Sequence, residues 1–139
     1  MSASFNFEVH TPYRSFFIGR VESLSMTLLD GDVGVYANHS AFTSPVVSCI
    51  LRMVDDKGIA RSAFITDGIL EVKHEKTVLM VDAAEWPEEI DPERARAAKK
   101  EAEEEVKAAS FKFELGRARA HLRRAEFRLK AWEEKGKAF

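Results

Sequence analysis

The hydrophobic pattern changes its period at residue 91, and this change decides what the chain can fold into. Before it, apolar and polar residues alternate in short runs, which is the period of half-buried β-strands. After it, apolar residues recur every three or four positions, and no proline follows Pro92. The sequence therefore predicts a β domain over residues 1–88 and a helical domain over residues 89–139.

Short alternating runs separated by Gly and Asp turns are typical of an antiparallel β-sandwich or barrel. Asp30-Gly31-Asp32 is a turn signal, and residues 55–58 form the loop of a predicted hairpin. We expect strands over residues 5–10, 16–29, 46–54, 59–66, 69–72 and 77–81. The predicted fold is mainly β plus α: an N-terminal antiparallel β-sandwich followed by a C-terminal antiparallel two-helix hairpin.

Asp91-Pro92-Glu93 predicts the start of the first helix, because Asp caps free N–H groups and Pro suits the first helical position. Two apolar stripes follow, out of phase with each other, so we place a turn at residues 108–111 with Ser110 as the cap of the second helix. The first stripe consists of Ala98, Ala102, Val106 and Ala109, and the second of Phe111, Leu115, Ala118, Leu122, Ala125, Leu129 and Trp132. Because alanine buries little apolar area, we expect a weakly held hairpin that opens when a better surface is offered.

The net charge of −2 combines an acidic and a basic part. Residues 1–89 carry a net charge of −6, and residues 90–139 carry +4. Residues 117–139 alone carry +5, around the apolar stripe of the second helix. The basic surface of such a helix can be exposed to solvent, bind nucleic acid or dock on an acidic protein surface. The charge pattern leaves all three alternatives open.

Catalytic and metal-binding patterns are missing from the sequence. The four histidines stand far apart, and there is no Gly-rich phosphate loop, nucleophile elbow or carboxylate pair, so we expect neither a catalytic residue nor a metal site. The single cysteine, Cys49, has no partner for an internal disulfide. Neither a membrane span nor a signal peptide is evident, which indicates a cytosolic protein.

A series of motifs in a fixed order resembles the epsilon subunit of F-type ATP synthases over essentially the whole chain. The motifs are Thr11-Pro12, Asp32-Val33-Gly34-Val35-Tyr36-Ala37-Asn38-His39, Asp67-Gly68-Ile69-Leu70-Glu71-Val72, Ala84-Glu85, Ile90-Asp91 and Arg117-Ala118-Arg119-Ala120-His121-Leu122-Arg123-Arg124-Ala125-Glu126. The chain departs from the family at Tyr36-Ala37, where Leu-Pro is usual, and at Thr66-Asp67-Gly68, where a Gly-Gly pair is common.

The resemblance implies a non-catalytic subunit of the central rotor stalk. Its sandwich would bind the gamma subunit and the c-ring and so help couple proton or sodium translocation to ATP synthesis. It would lie on the cytoplasmic face of the bacterial plasma membrane without entering the bilayer, and it would need no cofactor. The resemblance also implies that the hairpin can extend and inhibit ATP hydrolysis by meeting an acidic segment of the catalytic beta subunit. The residues for this contact are Arg117, Arg119, Arg123, Arg124 and Arg128.

Some relatives bind regulatory ATP on the folded hairpin, and the resemblance extends to that motif at Ile90-Asp91-Pro92-Glu93-Arg94-Ala95. The matching candidates are Glu85, Asp91, Arg94, Arg124 and Arg128. Glu101 stands where the family has an arginine, which would weaken phosphate binding. Two alternatives stay open: Asp91 as a helix cap beside a surface Arg94, and a freestanding interaction or nucleic-acid-binding module that uses the basic hairpin.

Overall fold

The computed structural model describes residues 3–135, in which nine strands are followed by two helices. The strands are β1 Phe5–His10, β2 Ser15–Leu28, β3 Gly31–Tyr36, β4 Phe42–Val46, β5 Cys49–Asp55, β6 Ala60–Ile65, β7 Gly68–Val72, β8 Thr77–Val81 and β9 Ala84–Glu85. A 3-10 turn Pro87–Glu89 leads into helices α1 Pro92–Ala108 and α2 Lys112–Glu133. The predicted fold class, a β-sandwich followed by a helical hairpin, is confirmed.

The strands form one continuous hydrogen-bonded network in the order β1-β8-β7-β4-β2-β5-β6-β9, with β3 and β1 also paired to β2. Every pairing is antiparallel except that of β1 with β8, which is parallel. The predicted antiparallel sandwich therefore contains one parallel pair. Because β1 and β8 are far apart in sequence, no tight turn dictates their relative direction.

The alternation of apolar residues places one side of each strand in a common core. Phe7, Leu51, Leu70 and Leu79 from four strands are fully buried there. The hydrophobic effect of this core holds the sandwich together, since burial contributes about 25 cal/mol per Å² of apolar area. The core thus gives the helices a rigid surface to pack on.

Several predicted boundaries differ from the structure by one residue, and β3, β9 and most of β4 lie outside the predicted strands. The run 46–54 is divided between β4 and β5, because the backbone N–H and the hydroxyl of Ser48 both donate to Asp67 Oδ1 at 2.8 Å. The turn signal near Asp30 lies one residue earlier than predicted, at residues 29–30, and residues 31–36 form β3. The division of residues 46–54 depends on a contact between distant segments, which the local alternation of residues cannot predict. The position of the turn is set by the local β2–β3 hairpin, in which Leu28 pairs with Gly31.

The helical hairpin begins as predicted and turns where predicted. Asp91 caps α1 by accepting from the N–H groups of Glu93 and Arg94 at 3.0 and 3.3 Å. The break between the helices falls at residues 109–111, but the cap of α2 is Phe111 rather than Ser110. Residues 136–139 of the predicted helical domain lie outside the described part. Within residues 3–135, neither helix combines the length and hydropathy needed to cross a bilayer.

Two glycine substitutions test this packing, because they should change the free energy of unfolding in opposite directions. A Cβ on Gly68 would lie 2.0 Å from the Met80 carbonyl oxygen, whereas one on Gly116 in α2 meets nothing within 4 Å. We expect Gly68→Ala to destabilise the protein by about 1–3 kcal/mol or more. Gly116→Ala should stabilise it by about 0.5–1 kcal/mol, the helix preference of Ala over Gly. Urea unfolding followed by circular dichroism measures both, and a neutral Gly68→Ala would contradict the close approach of β7 and β8.

Candidate functional site

Helix α2 packs on the sandwich through a face that the sequence patterns do not single out. Ile50, Phe64, Ile90 and Ala131 form a small buried cluster, with Phe127 and Trp132 packed against it. Phe127 and Ala131 are four residues apart and so share one side of the helix. With 3.6 residues per turn, this side lies roughly opposite the predicted stripe, and two apolar residues among charged ones form too short a pattern to predict a buried face. The cluster is the contact that docks the hairpin on β5 and β6.

An ion pair secures the docked helix at the edge of this cluster. Arg128 Nε donates to Glu85 Oε1 at 2.7 Å, and both side chains are less than one-third exposed. The Arg128 guanidinium also lies 4.7 Å from the centroid of the Phe64 ring. Because Glu85 ends β9 and Arg128 is on α2, this pair exists only while the hairpin lies on the sandwich.

A cavity of about 500 Å³ opens beside this ion pair, between β9 and α1. We call it the acidic cavity. Its charged lining residues are Glu85, Glu89, Asp91, Arg94 and Arg128. The structure thus brings together four of the five residues predicted for a nucleotide. Arg124 does not line the cavity, and neither does Glu101.

The charges of the acidic cavity are largely matched within the protein. Arg128 is paired with Glu85, and Asp91 is engaged as the cap of α1. Glu89 accepts from Arg14 and from the Trp86 N–H, each at 2.8 Å, and the bond from Arg14 holds the pKa of Glu89 below its usual range. Three carboxylates line the cavity with two guanidinium groups, and Arg14 supplies a third guanidinium to Glu89, so no surplus of positive charge remains to attract a polyanion. Among residues 3–135, no group of three or more His, Cys, Asp and Glu side chains is placed to hold a metal ion.

Glu89 is the charged lining residue that the sequence patterns do not single out. Its carboxylate accepts from the N–H of Trp86, the residue before the turn Pro87–Glu89. A carboxylate three residues after a capping position is a recognisable sequence signal for this bond. The signal predicts a capped turn but gives no reason to place Glu89 in a cavity.

The five arginines predicted to contact a partner divide into two groups. Arg117 and Arg119 are exposed. Arg123, Arg124 and Arg128 are half-buried, and Arg123 Nε donates to the Ser48 carbonyl at 2.7 Å. The Nε of Arg124 is buried and finds no hydrogen-bond partner among residues 3–135. The docked hairpin therefore conceals three of the predicted contacts.

The two helices meet along a seam of small residues, but of the predicted α1 stripe Ala98, Ala102, Val106 and Ala109 only Ala102 is fully buried. Ala95 and Ala102 of α1 and Ala118 and Ala125 of α2 are buried, and Leu129 is the one large side chain buried with them in the described helices. His121 and Glu105 add a contact at 3.2 Å across the seam. Phe111 is 69% exposed, so its predicted place in the seam is wrong, because it precedes the first turn of α2.

Comparison with known proteins assigns both parts of the chain to one family. Residues 4–87 match the beta-sandwich domain of the ATP synthase delta/epsilon chain, and residues 88–133 match the long alpha-helix domain of that chain. A protein of Caldanaerobacter subterraneus subsp. tengcongensis named ATP synthase epsilon chain is 40% identical, over 94% of each chain. One of the same name from Caldicellulosiruptor bescii is 43% identical, over 95% of this chain and 96% of the relative.

Solved structures show the same fold. One is a chain in the cryo-EM structure of the Euglena gracilis mitochondrial ATP synthase, with OSCP, F1 and c-ring; it is 20% identical with a TM-score of 0.79, over 94% of this chain and 82% of that one. Another is a chain in the central stalk and c-ring structure of the Tetrahymena thermophila mitochondrial enzyme, 14% identical with a TM-score of 0.65, over 94% and 98%. At these identities the likeness establishes the arrangement of sandwich and helices.

Removing the negative charge of Glu85 tests the ion pair that holds α2 on the sandwich. Glu85→Gln should weaken docking by about 1 kcal/mol, since the pair is partly screened by solvent. We expect amide hydrogen exchange in α2 to accelerate about fivefold while exchange in the core strands stays unchanged. Glu71→Gln, which breaks an ion pair with Lys73 on the sandwich, is the matched control. Equal exchange in α2 of both variants would show that the Arg128 contact contributes nothing.

Proposed function

We propose a rotor-stalk function for this chain on the premise that it belongs to the ATP synthase delta/epsilon chain family. In this role the chain is the epsilon subunit of a bacterial F-type ATP synthase and links the gamma subunit to the c-ring. The observation that carries the proposal is the match of both family domains, in order, over residues 4–133. Bacterial relatives with the name ATP synthase epsilon chain and at least 40% identity over nearly the whole chain support it.

The proposed subunit is not catalytic and acts through its surfaces. The sandwich has apolar side chains in solvent, including Ile69 and Met80, which face each other across β7 and β8 and are each nearly half exposed. An exposed apolar pair of this kind suits a subunit contact within the stalk. Bound there, the subunit sits at the cytoplasmic face of the plasma membrane without entering it. The alternative of a freestanding nucleic-acid-binding module finds no support in the comparisons.

In this proposal the hairpin is a two-state inhibitor of ATP hydrolysis. In the docked state Arg123 bonds to Ser48 and Arg128 to Glu85, whereas the buried Nε of Arg124 has no hydrogen-bond partner in the described part of the chain. The extended state releases all three guanidinium groups toward the acidic segment of the catalytic beta subunit. The small difference between these contacts, together with the alanine seam, favours two states of similar free energy.

Regulatory ATP at the acidic cavity is a second candidate function. Its support is the convergence of Glu85, Asp91, Arg94 and Arg128 on one cavity. The cavity has no surplus of guanidinium groups to attract a triphosphate, and Arg128 must leave Glu85 before it can meet a phosphate. The residue types match those of the ATP motif, but their summed charge does not attract a triphosphate. We therefore infer weak binding, with Kd of about 1 mM or higher.

The two-state inhibitor is tested by variants with opposite effects in the purified enzyme complex. Deleting residues 91–139 removes the inhibitor, so ATP hydrolysis should rise. Glu85→Gln weakens only the docked state, so hydrolysis should fall as the extended population grows about fivefold. Glu71→Gln is the control for both measurements. Unchanged hydrolysis after the deletion would remove the inhibitory role while leaving the stalk role in place.

Calorimetric titration of the full chain with ATP tests the nucleotide site. The wild type should bind in the millimolar range, and Arg94→Ala and Arg128→Ala should abolish detectable binding because each removes a cation from the cavity. Arg119→Ala, an exposed position outside the cavity, should bind as the wild type does. Equal binding by Arg94→Ala and the wild type would place any nucleotide elsewhere.

A further inference from the structure

A second cavity lies on the other flank of α2 and has the opposite charge. Its volume is about 500 Å³, and we call it the basic cavity. Polar or charged side chains of Ser25, Thr27, Asp32, Arg52, Arg123 and Lys130 line it, together with the less polar Met26, Cys49, Ile50 and Phe127. None of these residues lines the acidic cavity. The size falls within the range of small-molecule sites in proteins, about 300–1,000 Å³.

Positive charge exceeds negative charge in the basic cavity. Arg52, Arg123 and Lys130 face a single carboxylate, Asp32, whose Oδ1 accepts from the Thr27 hydroxyl at 2.7 Å. Arg52 also forms an ion pair with Glu134, in which Nη2 lies 2.9 Å from Oε2. The thiol of Cys49 adds no charge, because burial raises its pKa. The surplus therefore resides mainly on Arg123 and Lys130.

Arg123 is fixed in position through Nε, and its terminal N–H groups can bind a ligand. Its Nε donates to the Ser48 carbonyl at 2.7 Å, and its guanidinium lies 4.7 Å from the centroid of the Phe127 ring. Among residues 3–135, no carboxylate forms an ion pair with Arg123 or with Lys130. A guanidinium fixed at one nitrogen keeps its terminal N–H groups in the planar arrangement that matches phosphate oxygens.

We propose that the basic cavity binds a phosphate group, held by Arg123 and Lys130 of α2 together with Arg52 of β5. A phosphate carries between one and two negative charges at neutral pH and offers several acceptor oxygens, which matches this surplus and these donors. Inorganic phosphate and the terminal phosphate of a larger ligand share this chemistry. The proposal concerns residues outside the acidic cavity and does not depend on nucleotide binding there.

Binding at this position would stabilise the docked hairpin. Arg52 belongs to the sandwich, whereas Arg123 and Lys130 belong to α2, so one anion bridges the two parts. A ligand that binds only the docked state shifts the equilibrium toward it as its concentration rises above Kd. Phosphate is thereby an antagonist of hairpin extension, through contacts separate from the Glu85–Arg128 pair.

Titration of the full chain with inorganic phosphate, at constant ionic strength and followed by NMR, tests the proposal. Amide signals of β5 and α2 should shift in a saturable manner, and α2 should exchange more slowly when phosphate is bound. A parallel titration with pyrophosphate distinguishes two ligands. If the cavity binds the terminal phosphate of a larger ligand, pyrophosphate should bind more tightly than inorganic phosphate. Chloride at equal ionic strength should produce no saturable shift.

Two variants should move the affinity for phosphate in opposite directions. Lys130→Ala removes a cation and should weaken binding about fivefold, whereas Asp32→Asn removes the opposing carboxylate and should strengthen it by a similar factor. Lys100→Ala, on the exposed side of α1, is the matched control. Arg94→Ala, which disables the acidic cavity, should leave phosphate binding intact.

Three results would overturn the proposal: no saturable binding by the wild type, equal affinity of Lys130→Ala and Lys100→Ala, or loss of phosphate binding in Arg94→Ala alone. The last would assign the phosphate to the acidic cavity. Each is independent of the rotor-stalk role, which is judged by ATP hydrolysis in the assembled complex.

Discussion

The packing of α2 on β5 and β6 is the contact on which the rest of the structure depends. Phe127 and Ala131 cover Ile50 and Phe64, and this small cluster is the apolar contact that joins α2 to the sandwich. Both cavities exist because of it, since α2 forms a wall of each. If the cluster separates, the Glu85–Arg128 pair, the Arg123–Ser48 bond and both cavities are lost together. A modest apolar contact thus controls the polar contacts between α2 and the sandwich.

Helix α2 carries different chemistry on its two flanks. Arg128 points to the acidic cavity and is neutralised there, whereas Arg123 and Lys130 border the basic cavity without carboxylate partners among the described residues. This difference arises from the sandwich, because β9 offers Glu85 on one side and β5 offers Arg52 on the other. The same helix can therefore hold an ion pair and attract an anion at once.

Much of this architecture follows from local pattern. Asp91-Pro92 predicts the start of α1, and the alternation around Phe7 predicts a strand, because capping and period depend on neighbouring residues alone. The parallel β1–β8 pair, the break at Ser48 and the exposure of Phe111 escape such reasoning. Each is set by a contact between segments distant in the chain or by a helix boundary displaced by one residue.

The sequence by itself determined the two-part organisation, the fold class, the small-residue seam and the family. Each of these follows from the period of the hydrophobic pattern, from composition or from the order of motifs. Only the tertiary structure decided what the charged residues do. It brought Glu85, Asp91, Arg94 and Arg128 to one cavity, left Arg124 out of it, and set Arg123 beside Lys130 and Arg52 in another. The physical reason is that the sequence gives the charge of each side chain, whereas its contact partners depend on which faces of the helix and the sheet pack together.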